Sequence, residues 1–484
     1  MKRLTLFASA LAASTALSSA ADLYTAPPIV EPGVSYAPAS FNWTGIYAGL
    51  HGGFGGDRFE YPLFVEGGLF TDEDINAEAD ITSSGFFGGG QIGANWQFAP
   101  NFVVGVEADA AWSDIKGELE LDVDPVDGFP GGDIELGSKV NWFSTIRGRL
   151  GFLPTERLMV YGTGGLAVGE TESYANLSIG GDGGGISTKE TNWGWSAGAG
   201  FEYAVTNNIT LKTEYLYVDL GSSELLNFDD VATLDVDTHF HTIKAGINYL
   251  WGNNGGSGAD MPYYAPAATA EPFEWTGIYA GLHGGYGGNR FEYPLFIEGE
   301  IFSEDDINAE ADITSSGFFG GGQIGANWQF APQFVVGVEA DGAWSDIKGE
   351  LGVSVDSVDG FPGADLELGS KVNWFSTLRA RLGFLPTERL MVYGTGGAAV
   401  GETESYANLS IGGSGGGIST KETSWGWSAG AGFEYAVTNN ITLKTEYLYV
   451  DLGSSELLNF EDAATLDVDT KFHTVKAGVN FLWN

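Results

Sequence analysis

Eight charged side chains stand at alternate positions in runs of this 484-residue chain that are otherwise apolar, small or glycine-rich. They are Glu107 and Asp109, Arg147 and Arg149, Glu202, Lys212 and Glu214, and Lys244. The set returns later as Glu339, Asp341, Arg379, Arg381, Glu434, Lys444, Glu446 and Lys476. On a strand, residues two apart share a face, so each set points to one side of its sheet. Each set holds as many bases as acids. A charge turned into a narrow space must be paired or wet, because an unpaired buried ion costs several kcal/mol. Arginine forks on neighbouring carboxylates supply such pairs. Two functions fit. One is a polar plug that holds a barrel shut, and the other is a charged constriction that selects ions. The plug is the better fit, since an eight-stranded interior is just filled by side chains.

Other chemistry is sparse. Of the five histidines, His51 and His283 face inward on the first strand of each half. His239, His241 and His473 lie near the outer start of the last strand, with Lys471 standing where His239 would repeat. No Ser/His/Asp or His/Asp set places a nucleophile beside a base, so no catalytic residue is assigned and no enzyme is expected. The chain has no cysteine, which removes thiol chemistry and disulfides. The acidic runs DEDINAEAD (72–80) and EDDINAEAD (304–312) lack calcium-loop spacing. They read as a solvated anionic surface, the alternative being weak divalent bridging to lipopolysaccharide phosphates. IGGDGGGIST (179–188) reads as a mobile loop tip and not a phosphate cradle, because no helix follows it. No metal or cofactor is expected. The net charge of −43 argues against nucleic acid as a partner.

The elements that carry these residues alternate with period two. Trp193, Trp195, Ala197, Ala199, Phe201, Tyr203 and Val205 oppose Asn192, Gly194, Ser196, Gly198, Gly200 and Glu202. That is an apolar-out, small-or-polar-in strand, and Gly and Ser could not form the solvated side of a soluble sheet. Ile209, Leu211, Tyr215 and Tyr217 form the outer face of the next strand, and Ile243, Ala245, Ile247, Tyr249 and Trp251 that of the last. Five further strands fall near 43–60, 84–98, 102–118, 138–153 and 158–177. Turns at 99–101, 154–157 and 206–208 are tight, whereas the connections near 61–83, 119–137, 178–189 and 220–234 read as long loops. Short turns on one side and long loops on the other is the pattern of an outer-membrane barrel. Trp43, Trp96, Trp142, Trp193, Tyr217, Tyr249 and Trp251 read as interfacial girdles.

Residues Phe41 to Trp251 recur without gaps as Phe273 to Trp483, at about six identities in seven. The expected organisation is an export signal (1–20), a periplasmic segment (21–40), a first barrel (41–251), a Gly/Pro-rich linker (252–272) and a second barrel (273–484). The fold class is all-β, with two tandem eight-stranded antiparallel up-and-down transmembrane barrels. One sixteen-stranded barrel is the alternative, because both units begin and end on the same side. The oligomeric state is left open.

The start ADLY (21–24), the opening strand WTGIYAGLHGGFGG (43–56) and the closing KAGINYLW (244–251) resemble the small outer-membrane barrel, or porin-family, proteins of alphaproteobacteria. That group includes surface antigens and hemin-binding proteins. The resemblance spans each unit. It implies location in the outer membrane, with lipid, lipopolysaccharide and the barrel-assembly machinery as partners. Lys244, Gly246, Tyr249 and Trp251, repeated by Lys476, Gly478, Phe481 and Trp483, fit the assembly signal of that family. Two departures are the duplication and the extra Asn484 after the closing aromatic. Hemin binding, if inherited, would fall to His241 and His473 as the exposed imidazoles. The expected function is a structural, surface-exposed envelope protein with little or no pore activity. The alternatives are a general porin for small hydrophilic solutes and a surface receptor or adhesin.

Overall fold

A computed structural model gives the fold over residues 41–65, 75–123, 131–227, 232–251, 273–297, 307–357, 363–460 and 464–483. The expected export signal, the segment 21–40 with its ADLY start, the linker 252–272 and Asn484 lie outside the described residues. The first copy holds β1 (Gly45–Val65), β2 (Ile75–Thr82), β3 (Gly85–Ala99), β4 (Phe102–Val123), β5 (Gly132–Thr155), β6 (Leu158–Ile179), β7 (Asp182–Ala204), β8 (Ile209–Asn227) and β9 (Ala232–Trp251). The second holds β10 (Gly277–Ile297), β11 (Ile307–Ala331), β12 (Phe334–Val355), β13 (Ala364–Thr387), β14 (Leu390–Ile411), β15 (Ser414–Ala436), β16 (Ile441–Phe460) and β17 (Ala464–Trp483). Together β2 and β3 occupy the place that β11 fills alone, so each copy contributes eight barrel positions.

Every ladder is antiparallel, and from the tight turns up to Ser84↔Lys116 and Ser316↔Lys348 each copy closes on itself. The opening strand β1 pairs with β9 from Ile46↔Trp251 to Val65↔Ala232, and β10 pairs with β17 from Ile278↔Trp483 to Ile297↔Ala464. Among the described residues no ladder joins β9 to β10 or β17 to β1, so the copies join into one ring of sixteen strands only at the long-loop ends, through β2–β12 and β11–β4. Closure leaves no free strand edge along the paired part of either copy, which a bilayer demands. The copies do meet near the long-loop ends. There β2 pairs with β12 (Ala77↔Val355 to Ile81↔Leu351), and β11 pairs with β4 (Ala309↔Val123 to Ile313↔Leu119). Residues 77–81 and 309–313 both read AEADI, so each edge accepts the other copy's segment as its own.

Side-chain alternation sets the two faces of the wall. Ile92, Trp96, Val106, Trp112, Ile146 and Trp193 are all exposed on the outer face. An apolar surface of that extent suits acyl chains. Part of that face meets the other copy instead of lipid. Tyr203 stacks on Tyr435 with ring centroids 3.3 Å apart, and Leu158 and Leu390 pack beside them.

Several expectations from sequence change here. Among the described residues, the connections read as long loops are mostly strand; 66–74, 124–130 and 228–231 lie outside the described residues. In place of a loop over 178–189, β6 and β7 run into a two-residue turn at Gly180 and Gly181. Their φ angles of 63° and 84° are the left-handed pair that a tight hairpin turn of this hand requires. Glycine there therefore sharpens a hairpin rather than loosening a loop. Trp43 is not a girdle ring. It is fully buried, donates from Nε1 to the Glu156 carbonyl at 3.0 Å, and meets Phe41 edge-on.

Two outcomes follow. Gly181→Val should strain the β6–β7 hairpin by about 1–3 kcal/mol, and Gly181→Asn, which tolerates positive φ, should not. Limited proteolysis of folded protein reads the difference as new cleavage near residue 181 in the valine variant alone. Separately, residues 21–251 expressed alone should migrate as a heat-modifiable barrel in detergent. Folding only of the full chain would contradict self-closure of the first copy.

Candidate functional site

The lumen of each copy is built in three layers. At the turn end, Phe41, Trp43, Val103, Leu153, Met159 and Leu250 close the interior. At the loop end, Phe59, Phe87, Ile115, Phe143, Leu216 and Phe240 form a second apolar layer. The ionic residues read from the sequence lie between them, and none is more than 4% exposed.

Arg147 on β5 is the hub. Its Nη2 lies 2.8 Å from Glu107 and 2.6 Å from Asp109, both on β4, and its Nη1 lies 2.8 Å from Glu214 on β8. Its Nε donates to Thr145 Oγ1 at 2.8 Å, so the guanidinium plane is held by four partners. Lys244 on β9 joins Asp109 at 2.7 Å and Glu214 at 3.0 Å. Lys212 reaches both oxygens of Glu107, at 2.7 and 2.9 Å. Arg149 donates to Glu202 Oε2 at 2.6 Å and to Tyr47 Oη at 2.5 Å, and its guanidinium lies 4.1 Å over the Tyr161 ring. Tyr47 and Tyr161 in turn donate to Glu107 and Glu214. Glu202 is completed by Asn248 and Thr210.

The second copy repeats the arrangement. Arg379 binds Glu339, Asp341 and Glu446, and Arg381 binds Glu434 and Glu339. Lys444 sits on Glu339, and Lys476 on Asp341 and Glu446. The carboxylate triads Glu107/Asp109/Glu214 and Glu339/Asp341/Glu446 have the compactness of a cation site. Their oxygens are already taken by arginine and lysine, so each network is neutral without a metal. Low local dielectric strengthens every one of these pairs.

Period-two reading reached the charged members of this network and missed the two apolar layers. Leu216, Val218 and Leu220 share the inward face of Lys212 and Glu214, yet they are apolar and at most 1% exposed. The available signal was a run with both faces apolar, YLYVDL (215–220), which alternation cannot resolve. Tyr47, Tyr161, Gln91 and Asn248 were also missed as network partners.

The assembly-signal residues fall on both faces of the closing strands. Tyr249, Trp251, Phe481 and Trp483 are exposed outward, and Lys244 and Lys476 point in. A Cβ on Gly246 would meet Gln91 Nε2 and Lys212 Cγ at 3.2 Å, so glycine there leaves room for the Lys212 stem. Gly478 stands the same way against Lys444. His51 is buried against Phe87. His283 shares a hydrogen bond with Gln323 at 3.1 Å.

The two histidines expected to be exposed are half-buried. His241 bonds Tyr215 through Nδ1 at 2.8 Å and meets Phe318 edge-on. His473 bonds Tyr447 at 2.8 Å and packs against Phe86 and Phe54. Both lie where the copies meet, and aromatic rings cover the faces that a planar ligand would need.

A family model described as "Outer membrane protein beta-barrel domain" matches the chain twice, over residues 6–249 and 264–481. The "31 kDa outer-membrane immunogenic protein" of Brucella melitensis is 42% identical over 212 residues, covering 43% of this chain and 84% of that protein. The "25 kDa outer-membrane immunogenic protein" of Brucella abortus is 29% identical over 253 residues, which is 51% of this chain and 98% of that protein. The "22 kDa outer membrane protein" of Rhizobium leguminosarum is 33% identical over 166 residues, 33% of this chain and 65% of that protein. Each relative aligns with about one copy's length or less. The chain belongs to the family of small alphaproteobacterial outer-membrane β-barrel proteins and carries the family's domain in tandem.

Proposed function

We propose that this outer-membrane protein is a non-conducting, non-enzymatic structural component of the envelope that presents an acidic, strand-built surface to the outside. The observation that carries the reading is the filled lumen. Side chains from β1, β4, β5, β6, β7, β8 and β9 meet across the middle of the first copy in one hydrogen-bonded network. Apolar layers stand above and below it. A solute path would have to break ion pairs that have no water to replace them, and a general porin needs an open aqueous channel. Surface exposure is supported by the "immunogenic" in the relatives' names and by strands that run well past the hydrocarbon band. The closing strands' aromatic ends support recognition by the barrel-assembly machinery, and the acidic rim faces the lipopolysaccharide leaflet. No nucleophile–base pair accompanies the buried charges among the described residues.

Reconstituted in planar bilayers at neutral pH, the full chain should give no stable unitary currents. Reproducible ohmic openings would refute the non-conducting reading. Arg147→Ala removes the shared partner of three buried carboxylates and should cost about 3–5 kcal/mol, the range for breaking a buried pair. Arg379→Ala should cost the second copy as much. Arg157→Ala, at an exposed turn and bonded to Ala204 and Asn207, should cost no more than about 1 kcal/mol. Urea unfolding in detergent micelles measures all three, and equal effects would mean the lumen network is not what holds the barrel.

A further inference from the structure

The two copies differ in a way that isolates one cluster. On β9, His239 and His241 stand two residues apart, and Asp57 of β1 lies against both. Asp57 Oδ2 is 3.5 Å from His239 Nε2 and 3.3 Å from His241 Nε2. Ligand atoms about 2.1 Å from a tetrahedral zinc ion are about 3.4 Å from one another, so two edges of such a site are already at length. The third edge, ring to ring, is not closed. Metal binding therefore requires the His239 ring to turn toward His241. His241 Nδ1 is engaged by Tyr215 Oη at 2.8 Å, which leaves Nε2 directed at Asp57. Metal-bound histidines are oriented by such a bond on the far ring nitrogen.

The surroundings give a cation access. The three side chains are 22%, 21% and 32% exposed, so an ion reaches them from the outside. They line a cavity of about 170 Å³ that also contains Asp80, Asp346 and Glu350, which are themselves paired with Arg58, Lys371 and Lys348. Its two cations are already neutralised. Arg58 is held by Glu60 at 2.8 Å and Asp80 at 3.5 Å, and Lys348 by Glu350 at 2.6 Å.

In the second copy, Asn289 replaces Asp57 and Lys471 replaces His239, while His473 and its bond to Tyr447 remain. Lys471 there binds Glu292 at 3.2 Å and Asp469 at 3.3 Å. Both changes remove a ligand, and one inserts a fixed positive charge. We propose that Asp57, His239 and His241 form a divalent transition-metal site of the zinc class, present in the first copy alone. Two imidazoles and one carboxylate suit that class, with remaining positions left to water or an external donor.

The test is zinc chloride titration of the folded full chain in detergent, read by equilibrium dialysis. The expected result is one tightly held zinc per chain. Asp57→Asn with His239→Lys copies residues that the second barrel already accommodates. Glu60 and Asp237 stand at the positions of Glu292 and Asp469, ready to receive the lysine. Heat-modifiable migration confirms that the variant folds. Its zinc affinity should fall by at least about tenfold. The reciprocal variant, Asn289→Asp with Lys471→His, should raise the uptake to two. Absence of tight uptake by the natural chain, or uptake unchanged in the first variant, would overturn the site. A reciprocal variant that still holds one zinc would overturn the three side chains as a sufficient ligand set.

Discussion

Burying charge in a space too narrow for bulk water constrains everything else in this molecule. Such charges are tolerated only when the positive and negative members are equal and most of their lone pairs and protons are used. Arg147 meets this by facing three carboxylates and a threonine at once. That geometry requires β4, β5 and β8 to lie at fixed places around the ring, and hence a fixed register and strand number. The inward glycines follow from it as well. Gly93 faces the Tyr47 ring so closely that a Cβ would fall 2.4 Å from it, and Gly200 stands in the same way to Tyr161. The small residues of the wall are the complement of the large polar ones inside it.

The ionic residues and the outward rings were legible because a strand in a membrane barrel separates its two environments with strict alternation. Glu107, Asp109, Arg147 and Lys212 stand out against apolar neighbours, and Trp96 and Trp193 mark the lipid side. What alternation could not show is what happens when the interior itself changes character along its axis. Phe87, Phe143 and Phe240 sit on the inward face yet are apolar, because there they pack against one another in a buried cluster. Trp43 was misread because an aromatic residue at a strand's start serves equally well as a girdle ring or as a stopper. Only its bond to the Glu156 carbonyl, 113 residues away, decides between them. The β6–β7 hairpin was misread as a loop because glycine carries two meanings, freedom in a chain with no partner strand and positive φ in one that has it.

Duplication adds a comparison inside a single chain. Where the copies agree, as in every charged member of the lumen, the same bonds recur at nearly the same lengths. Where they disagree, at positions 57 and 239 against 289 and 471, the rim chemistry changes from imidazole and carboxylate to a lysine ion pair. The lumen and the rim are thus separable parts. The shared AEADI segments tie the copies together at the outer edge.

The two-residue turn between β6 and β7 fixes how far the molecule reaches. A strand of 22 residues extends about 73 Å along its own direction. Tilted by about 40°, it spans a height of about 55 Å, of which the hydrocarbon band takes about 25 Å. Roughly 30 Å of paired ribbon therefore stands clear of the lipid. Its tip carries Gly180, Gly181 and Gly183 to Gly185, with few bulky side chains. The outer edge of this hairpin is therefore made mostly of peptide groups, and its shape depends on backbone pairing more than on the side chains it carries.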